Sequence, residues 1–194
     1  MRVESMQHSL HLNISTKFAH KVNVKEYCEK SAACVLYSGY RMYTLKNSEI
    51  YFQDWLDEVN SKLPSPLTEH SFMFVRIANS ESSVHMDFYP PLRNFIYGLN
   101  YVVDACDSSR MIWYEHIDGS AARLKYPLKP IGEVESVSVP SDNLLLVDTT
   151  NYHGIHVGDK DRWCMSLRTE ESTYDPENPL SWADILQKYQ EIAI

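Results

Sequence analysis

The strongest constraint on the fold is the rhythm of short β-type runs between residues 71 and 168. "SFMFVRI" (71 to 77), "SSVHMDF" (82 to 88), "RNFIYGLNYVV" (93 to 103), "RMIWYEH" (110 to 116), "EVESVSV" (133 to 139), "NLLLVDT" (143 to 149), "YHGIHV" (152 to 157) and "RWCMSLR" (162 to 168) follow one another with turn-forming residues between them. No long helical pattern interrupts the series. Strands this short and closely spaced bury their apolar faces against one another, which predicts a mainly β, antiparallel sandwich or barrel.

Helices are predicted on the flanks. In "NSEIYFQDWLDEVNSK", Phe52, Trp55, Leu56 and Val59, then Leu63, lie on one helical stripe over about 47–62, with Asn47 or Ser48 as cap and "LPSP" as stop. Near the C-terminus Ser181 and Asp184 form a capping-box pattern ahead of Trp182, Ile185, Leu186, Tyr189 and Ile192, predicting a helix over about 181–192. The N-terminal third reads as mixed. No internal repeat or low-complexity tract divides the chain, so residues 1–194 are expected to form a single domain with its core at about 72–168.

Charge and cysteine usage narrow the function classes. A formal net charge of −8 leaves no basic stripe to follow a phosphate backbone, which argues against nucleic-acid binding. "MRVESMQHSLHLNISTKF" lacks the unbroken apolar stretch of a secretory signal, and no segment has the length of a membrane span, so a cytoplasmic protein is expected. The four cysteines (Cys28, Cys34, Cys106, Cys164) contain no CxxC pair and are expected to be reduced, with Cys34 and Cys164 in apolar surroundings that suit core packing.

The chemistry begins with "VHMDFYP". His85 and Asp87, two apart, leave a strand from the same face. A third ligand arriving from a distant strand would complete a face of two histidines and one carboxylate, an arrangement that non-haem Fe(II) oxygenases use. A second triplet, "HID" at His116 and Asp118, competes with it. Four predicted strands separate Asp87 from "YHGIHV" and only two separate Asp118 from it, and the longer path can travel round a barrel and return. His116 and Asp118 are therefore read as a solvated turn leading into "GSAAR". The segment "TTNYHGIHVGDKDRWCMSLR" offers two candidate third ligands, His153 and His156, whose separation of three sends them to opposite faces of a strand. It also offers Arg162 and Arg168, either of which could clamp a carboxylate; Arg162 could instead pair at the surface with Asp159 or Asp161.

With these residues in place the chain resembles the 2-oxoglutarate and Fe(II)-dependent dioxygenases. The resemblance spans about 72–168 and rests on His85-x-Asp87, on "GLNYVVDACDSSRMIWYE" and on His153 followed nine residues later by Arg162. It implies a double-stranded β-helix (a jelly roll, cupin-like) with N-terminal and C-terminal flanking helices. It also implies His85, Asp87 and His153 as Fe(II) ligands, and Arg162 as the partner of the far carboxylate of 2-oxoglutarate. The family's spacing is what favours His153 over His156 and Arg162 over Arg168.

The chain departs from the family pattern at Cys164, where a hydroxyl often stands two residues after the arginine; Ser166, on the same strand face, is the substitute. Asn100 is a candidate contact for cosubstrate or substrate. Tyr97, Trp113 and Tyr114 are expected mainly in the core, and Phe88 and Tyr89, with "FYPP", at the mouth of the site. The implied reaction consumes O2 and 2-oxoglutarate, releases succinate and carbon dioxide, and hydroxylates an amino acid, small metabolite or peptide side chain. The Asp87 carboxylate favours hydroxylation over halogenation. A cupin-type metal enzyme, or a jelly-roll binding module with structural histidines, is the alternative. Substrate identity, hydroxylation against desaturation or ring closure, and oligomeric state are left open.

Overall fold

A computed structural model describes residues 7–14, 18, 21–30, 33–37, 40–47, 52–80, 84–89, 93–115 and 132–194. Its elements in chain order are β1 (Ser9–Leu12), α1 (Lys21–Lys30), β2 (Cys34–Tyr37), β3 (Tyr40–Lys46), α2 (Gln53–Lys62), β4 (His70–Arg76), β5 (Phe88–Tyr89), β6 (Arg93–Asn94), β7 (Tyr97–Asp104), β8 (Arg110–Tyr114), β9 (Glu133–Ser138), β10 (Asn143–Asp148), β11 (His153–His156), β12 (Arg162–Leu167) and α3 (Trp182–Tyr189). Every paired strand is antiparallel.

A seven-stranded sheet runs β1-β10-β7-β12-β4-β3-β2, and a three-stranded sheet runs β11-β8-β9. From β7 onward the chain keeps crossing between them: β7 lies in the large sheet, β8 and β9 in the small one, β10 in the large, β11 in the small and β12 in the large. Those crossings wind the two sheets into a double-stranded β-helix with flanking helices, as the strand rhythm and the family resemblance implied.

Period-two alternation explains why the central strands are apolar on both sides. On β7, Leu99, Tyr101 and Val103 join the cluster that also holds α2 residues Trp55, Leu56 and Val59 and α3 residues Ile185 and Tyr189. Val102 points the other way, into a second cluster with Met111 and Trp113 of β8 and Ile155 of β11. β10 splits likewise, Leu144 and Leu146 to the helical side, Leu145 and Val147 to the sheet side.

Several local expectations shift. α2 begins at Gln53 rather than near Asn47; Phe52 is its N-cap residue and makes no side-chain cap bond. Asn47 instead donates from Nδ2 to the Thr68 carbonyl and accepts from Ser71 Oγ, tying β3 to the start of β4; Ser48 lies outside the described residues. The stop is as expected, since Leu63, the residue before Pro64, is extended (φ −82°, ψ 142°). At α3 both halves of the Ser181–Asp184 capping box form, and the last turn tightens into a 3-10 segment over Gln190–Ile192. The single run expected over 93–103 divides into β6 and β7. The run over 82–88 keeps only a bridge at His85 and the short β5 among its described residues. Sequence reading assigned no elements before residue 47, where β1, α1, β2 and β3 lie.

Cys164 is buried as expected, but Cys34 is exposed, because β2 is the outer edge of the large sheet. All four cysteines are free. Among the described residues no helix is long and apolar enough to cross a membrane.

Candidate active site

Backbone pairing brings the first candidate residues together. His85 and His153 exchange hydrogen bonds, N–H to carbonyl, at 3.0 and 2.9 Å, and the Asp87 N–H donates to the Thr149 carbonyl at 3.0 Å. The segment around His85 is thus pinned beside β11 by a single antiparallel bridge. Residues 68 positions apart in sequence end with one donor atom each from His85, Asp87 and His153 all within 4.8 Å of one another. His85 and Asp87 are half-buried and His153 is buried. Two imidazoles and a carboxylate with this closeness suit a divalent transition metal, with coordination positions left for other ligands.

The His153 ring is oriented by its own turn. Its Nδ1 stands 2.9 Å from the Asn151 carbonyl; a carbonyl can only accept, so Nδ1 carries the proton and Nε2 presents a lone pair. The turn is held by Asp148, fully buried at the end of β10. One Asp148 carboxylate oxygen accepts from the Thr150 N–H and hydroxyl, and the other accepts from Asn151 Nδ2 and faces His8 Nδ1 at 3.0 Å. Burial pushes this carboxyl up, but the bonds from His8, Thr150 and Asn151 prevail and hold it below the ordinary carboxylate range. His156, on the opposite face of β11, is exposed. His116 and Asp118 lie outside the described residues.

A cavity of about 280 Å³ opens over these groups, and Arg162, Cys164, Ser166 and Arg168 all line it, as alternation along β12 requires. Asn100, the register partner of Ser166 on β7, lines it too. Tyr97 and Trp113 are core residues, their polar tips bonded to Thr169 and to the Asp148 carbonyl respectively. Tyr114 is half-buried. The side chains of Phe88 and Tyr89 are outside what is described, as are Pro90 and Pro91.

The two arginines of β12 and its end differ. Arg162 is 2% exposed, and its Nε and Nη2 are buried without a hydrogen-bond partner. It forms no ion pair with Asp159 or Asp161; Asp161 instead accepts from the Ala78 N–H. A buried guanidinium edge with two idle donors is costly unless an anion meets it, so the residues present fit a carboxylate ligand. Arg168 is largely engaged: Nη2 lies 3.6 Å from Asp87 Oδ2, Nη1 donates to the Tyr97 carbonyl at 3.3 Å, and the guanidinium stacks 4.6 Å from the Phe95 ring, leaving Nε buried without a hydrogen-bond partner. Burial lowers its pKa, while Asp87 opposes that shift.

Two contributors escaped the sequence reading. Arg76, at the end of β4, is the direct register partner of Arg162 and lines the same cavity. Its signal was parity: Phe72, Phe74 and Arg76 share a strand face, and a cation there is out of place unless it serves a site. Asp148 was signalled by an acid closing the apolar run "NLLLVD" ahead of Thr149, Thr150 and Asn151, a side-chain-to-backbone turn pattern.

No known protein-family description and no curated protein sequence matches the chain. Solved structures do. A 2OG-Fe(II) oxygenase family oxidoreductase from Burkholderia pseudomallei superposes with a TM-score of 0.54 at 7% identity, over 82% of each chain. A prolyl hydroxylase from Trichoplax adhaerens, in complex with a hypoxia inducible factor peptide fragment, gives 0.53 at 11% identity over 82% of each chain. HygX from Streptomyces hygroscopicus, with nickel, 2-oxoglutarate and hygromycin B bound, gives 0.50 at 13% identity, over 82% of this chain and 81% of that one. At such identities the likeness is one of architecture: the chain shares the double-stranded β-helix fold of the 2-oxoglutarate and Fe(II) oxygenases.

Proposed function

We propose that the protein is a non-haem Fe(II) and 2-oxoglutarate-dependent dioxygenase that hydroxylates an amino acid, a small metabolite or a peptide side chain. On this reading the whole chain is one oxygenase domain acting in the cytoplasm. The observation that carries it is the presence, in one cavity, of the His85, Asp87 and His153 donor set and of the unpartnered Arg162 edge.

His85 and Asp87 from the segment bridged to β11, and His153 from β11 itself, would hold the metal. Arg162 would receive the far carboxylate of 2-oxoglutarate on its idle Nε and Nη2, a charge-assisted pair in a dry setting. Ser166 and Asn100, neighbours across β12 and β7, supply a hydroxyl and an amide to the same wall. Arg168 orients Asp87 and balances its charge, and the Asn151 carbonyl keeps the His153 proton on Nδ1. When bound, the metal and cosubstrate supply the oxidative chemistry that consumes O2 and releases succinate and carbon dioxide. The protein contributes orientation and exclusion of water.

Anaerobic titration tests this reading. Fe(II) and 2-oxoglutarate together should produce a visible metal-to-ligand charge-transfer band that neither produces alone, absent in His153→Ala and weakened in Arg162→Gln. Metal binding without cosubstrate dependence would favour a cupin-type enzyme, and no metal binding would favour a non-catalytic jelly roll.

A further inference from the structure

The oxygenase reading leaves one strong group unused. Arg76 is 8% exposed, and among the described residues no carboxylate lies within ion-pair distance of it. Burial, and secondly the charge of Arg162 beside it, lower its pKa to about 10. Two guanidiniums side by side in a buried wall repel one another, and among the described residues the Tyr40 ring and the more distant Asp87 charge offset that cost only in part.

Charge matching indicates what is missing. Asp87 is the only acid among the described residues lining the cavity, and Arg168 already matches it. A divalent metal and a doubly negative cosubstrate cancel each other. The charges of Arg76 and Arg162 then stand in excess even in the fully loaded site. One idle edge on Arg162 is enough for the cosubstrate carboxylate. Arg76 is drawn the other way, its guanidinium 4.8 Å from the ring centroid of Tyr40, its partner on β3. Beyond it the same sheet face continues into the cavity as Met42, Phe72 and Phe74, with the Tyr40 and Phe72 rings 6.0 and 6.4 Å from Phe74.

We propose, resting on the oxygenase reading, that the primary substrate is an organic oxyanion with an apolar or aromatic body. Arg76 receives its carboxylate or phosphate, and the shelf formed by Tyr40, Met42, Phe72 and Phe74 receives its body. Arg76 is thus the residue that sets substrate class, while Arg162 serves the cosubstrate. The acid is selected because an uncharged analogue would leave a desolvated guanidinium unmatched.

Anaerobic calorimetry on the protein loaded with Fe(II) and 2-oxoglutarate tests this, with 3-phenylpropanoate and phenyl phosphate as probes against 3-phenylpropanamide. At least one anion should bind about tenfold or more tighter than the amide, in line with a hydrogen bond to a charged group, and the tighter anion identifies the headgroup. Arg76→Gln should erase that preference and Arg76→Lys should retain part of it, which separates recognition from mere folding. Arg76→Gln should also weaken 2-oxoglutarate far less than Arg162→Gln does. Equal binding of acid and amide, or binding of none of the probes, overturns the proposal. So does an Arg76→Gln loss of 2-oxoglutarate as large as that of Arg162→Gln, which would assign both arginines to the cosubstrate. If the wild-type protein fails to bind Fe(II) and 2-oxoglutarate together, the oxygenase reading itself falls.

Discussion

Arg168 reaches back from the end of β12 to place Nη2 3.6 Å from Oδ2 of Asp87, so the carboxylate in the candidate metal-binding cluster has its own buried counter-charge. Gly98 makes room for that arm, since a methyl group there would collide with Arg168 Nη1. Arg168→Met should cost roughly 2–3 kcal/mol in urea denaturation, below the usual figure for breaking a fully buried pair because Asp87 retains some solvent contact. Gly98→Ala should displace the same guanidinium and cost about 1–3 kcal/mol. The double variant should lose clearly less than the sum, because both changes remove one interaction.

Loss of His153 should act very differently from loss of His156. His153→Ala and Asp87→Ala should each reduce metal affinity by more than the roughly 10–100-fold that loss of an outer hydrogen-bond partner costs. His156→Ala, on the exposed face of β11, should stay within about twofold in the same metal titration and within about 0.5 kcal/mol in stability.

Asp148 links the turn before His153 to pH. Its carboxyl is held below the ordinary range, so its contribution to stability is complete above the unfolded carboxylate value, near 4. The contribution is lost as pH falls through the lower folded value. Asp148→Asn should destabilise the protein at neutral pH by about 1–3 kcal/mol and flatten the acid side of the stability curve. Denaturant melts of both proteins from neutral pH downward would expose the difference, and metal affinity should fall about tenfold with the loosened His153 turn.

Beyond the β1–β10 pairing, a phenol ties Phe18 to the core. Tyr101 Oη accepts from the Phe18 N–H at 3.1 Å and donates to Asp142 Oδ1 at 2.9 Å, and burial raises its pKa. Tyr101→Phe keeps the ring but removes the hydroxyl that accepts from the Phe18 N–H. About 1–2 kcal/mol should be lost in equilibrium unfolding, with faster amide exchange at Phe18 as the local signature.

The β-rich interior was legible because its signals are local: β12 alternates residue by residue, and β4, β7, β8, β9 and β10 are short runs of β-forming residues bounded by turns. Helix α3 was legible for the same reason, its capping box spanning only Ser181 to Asp184. Where long-range contacts outvote local preference, the reading slipped. Among its described residues the run over 82–88 makes a bridge at His85 and enters the short β5, because His85 pairs with His153 alone before the Asp87 N–H turns to the Thr149 carbonyl. The N-terminal strands were unreadable because β1 is a four-residue edge strand whose partner, β10, lies more than 130 residues away.

The sequence by itself determined that the chain would build an antiparallel double sheet, and it marked His85 and Asp87 as a pair two residues apart whose side chains can face the same way. It narrowed the later candidates by parity, placing His153 and His156 on opposite faces and Arg162 and Arg168 on the same one. Only the tertiary structure decided which histidine meets His85, which arginine is committed to Asp87 and which is left idle, and that Arg76 stands opposite Arg162. Those outcomes depend on strand register, and register is set by the packing of both sheet faces at once rather than by any local run of residues.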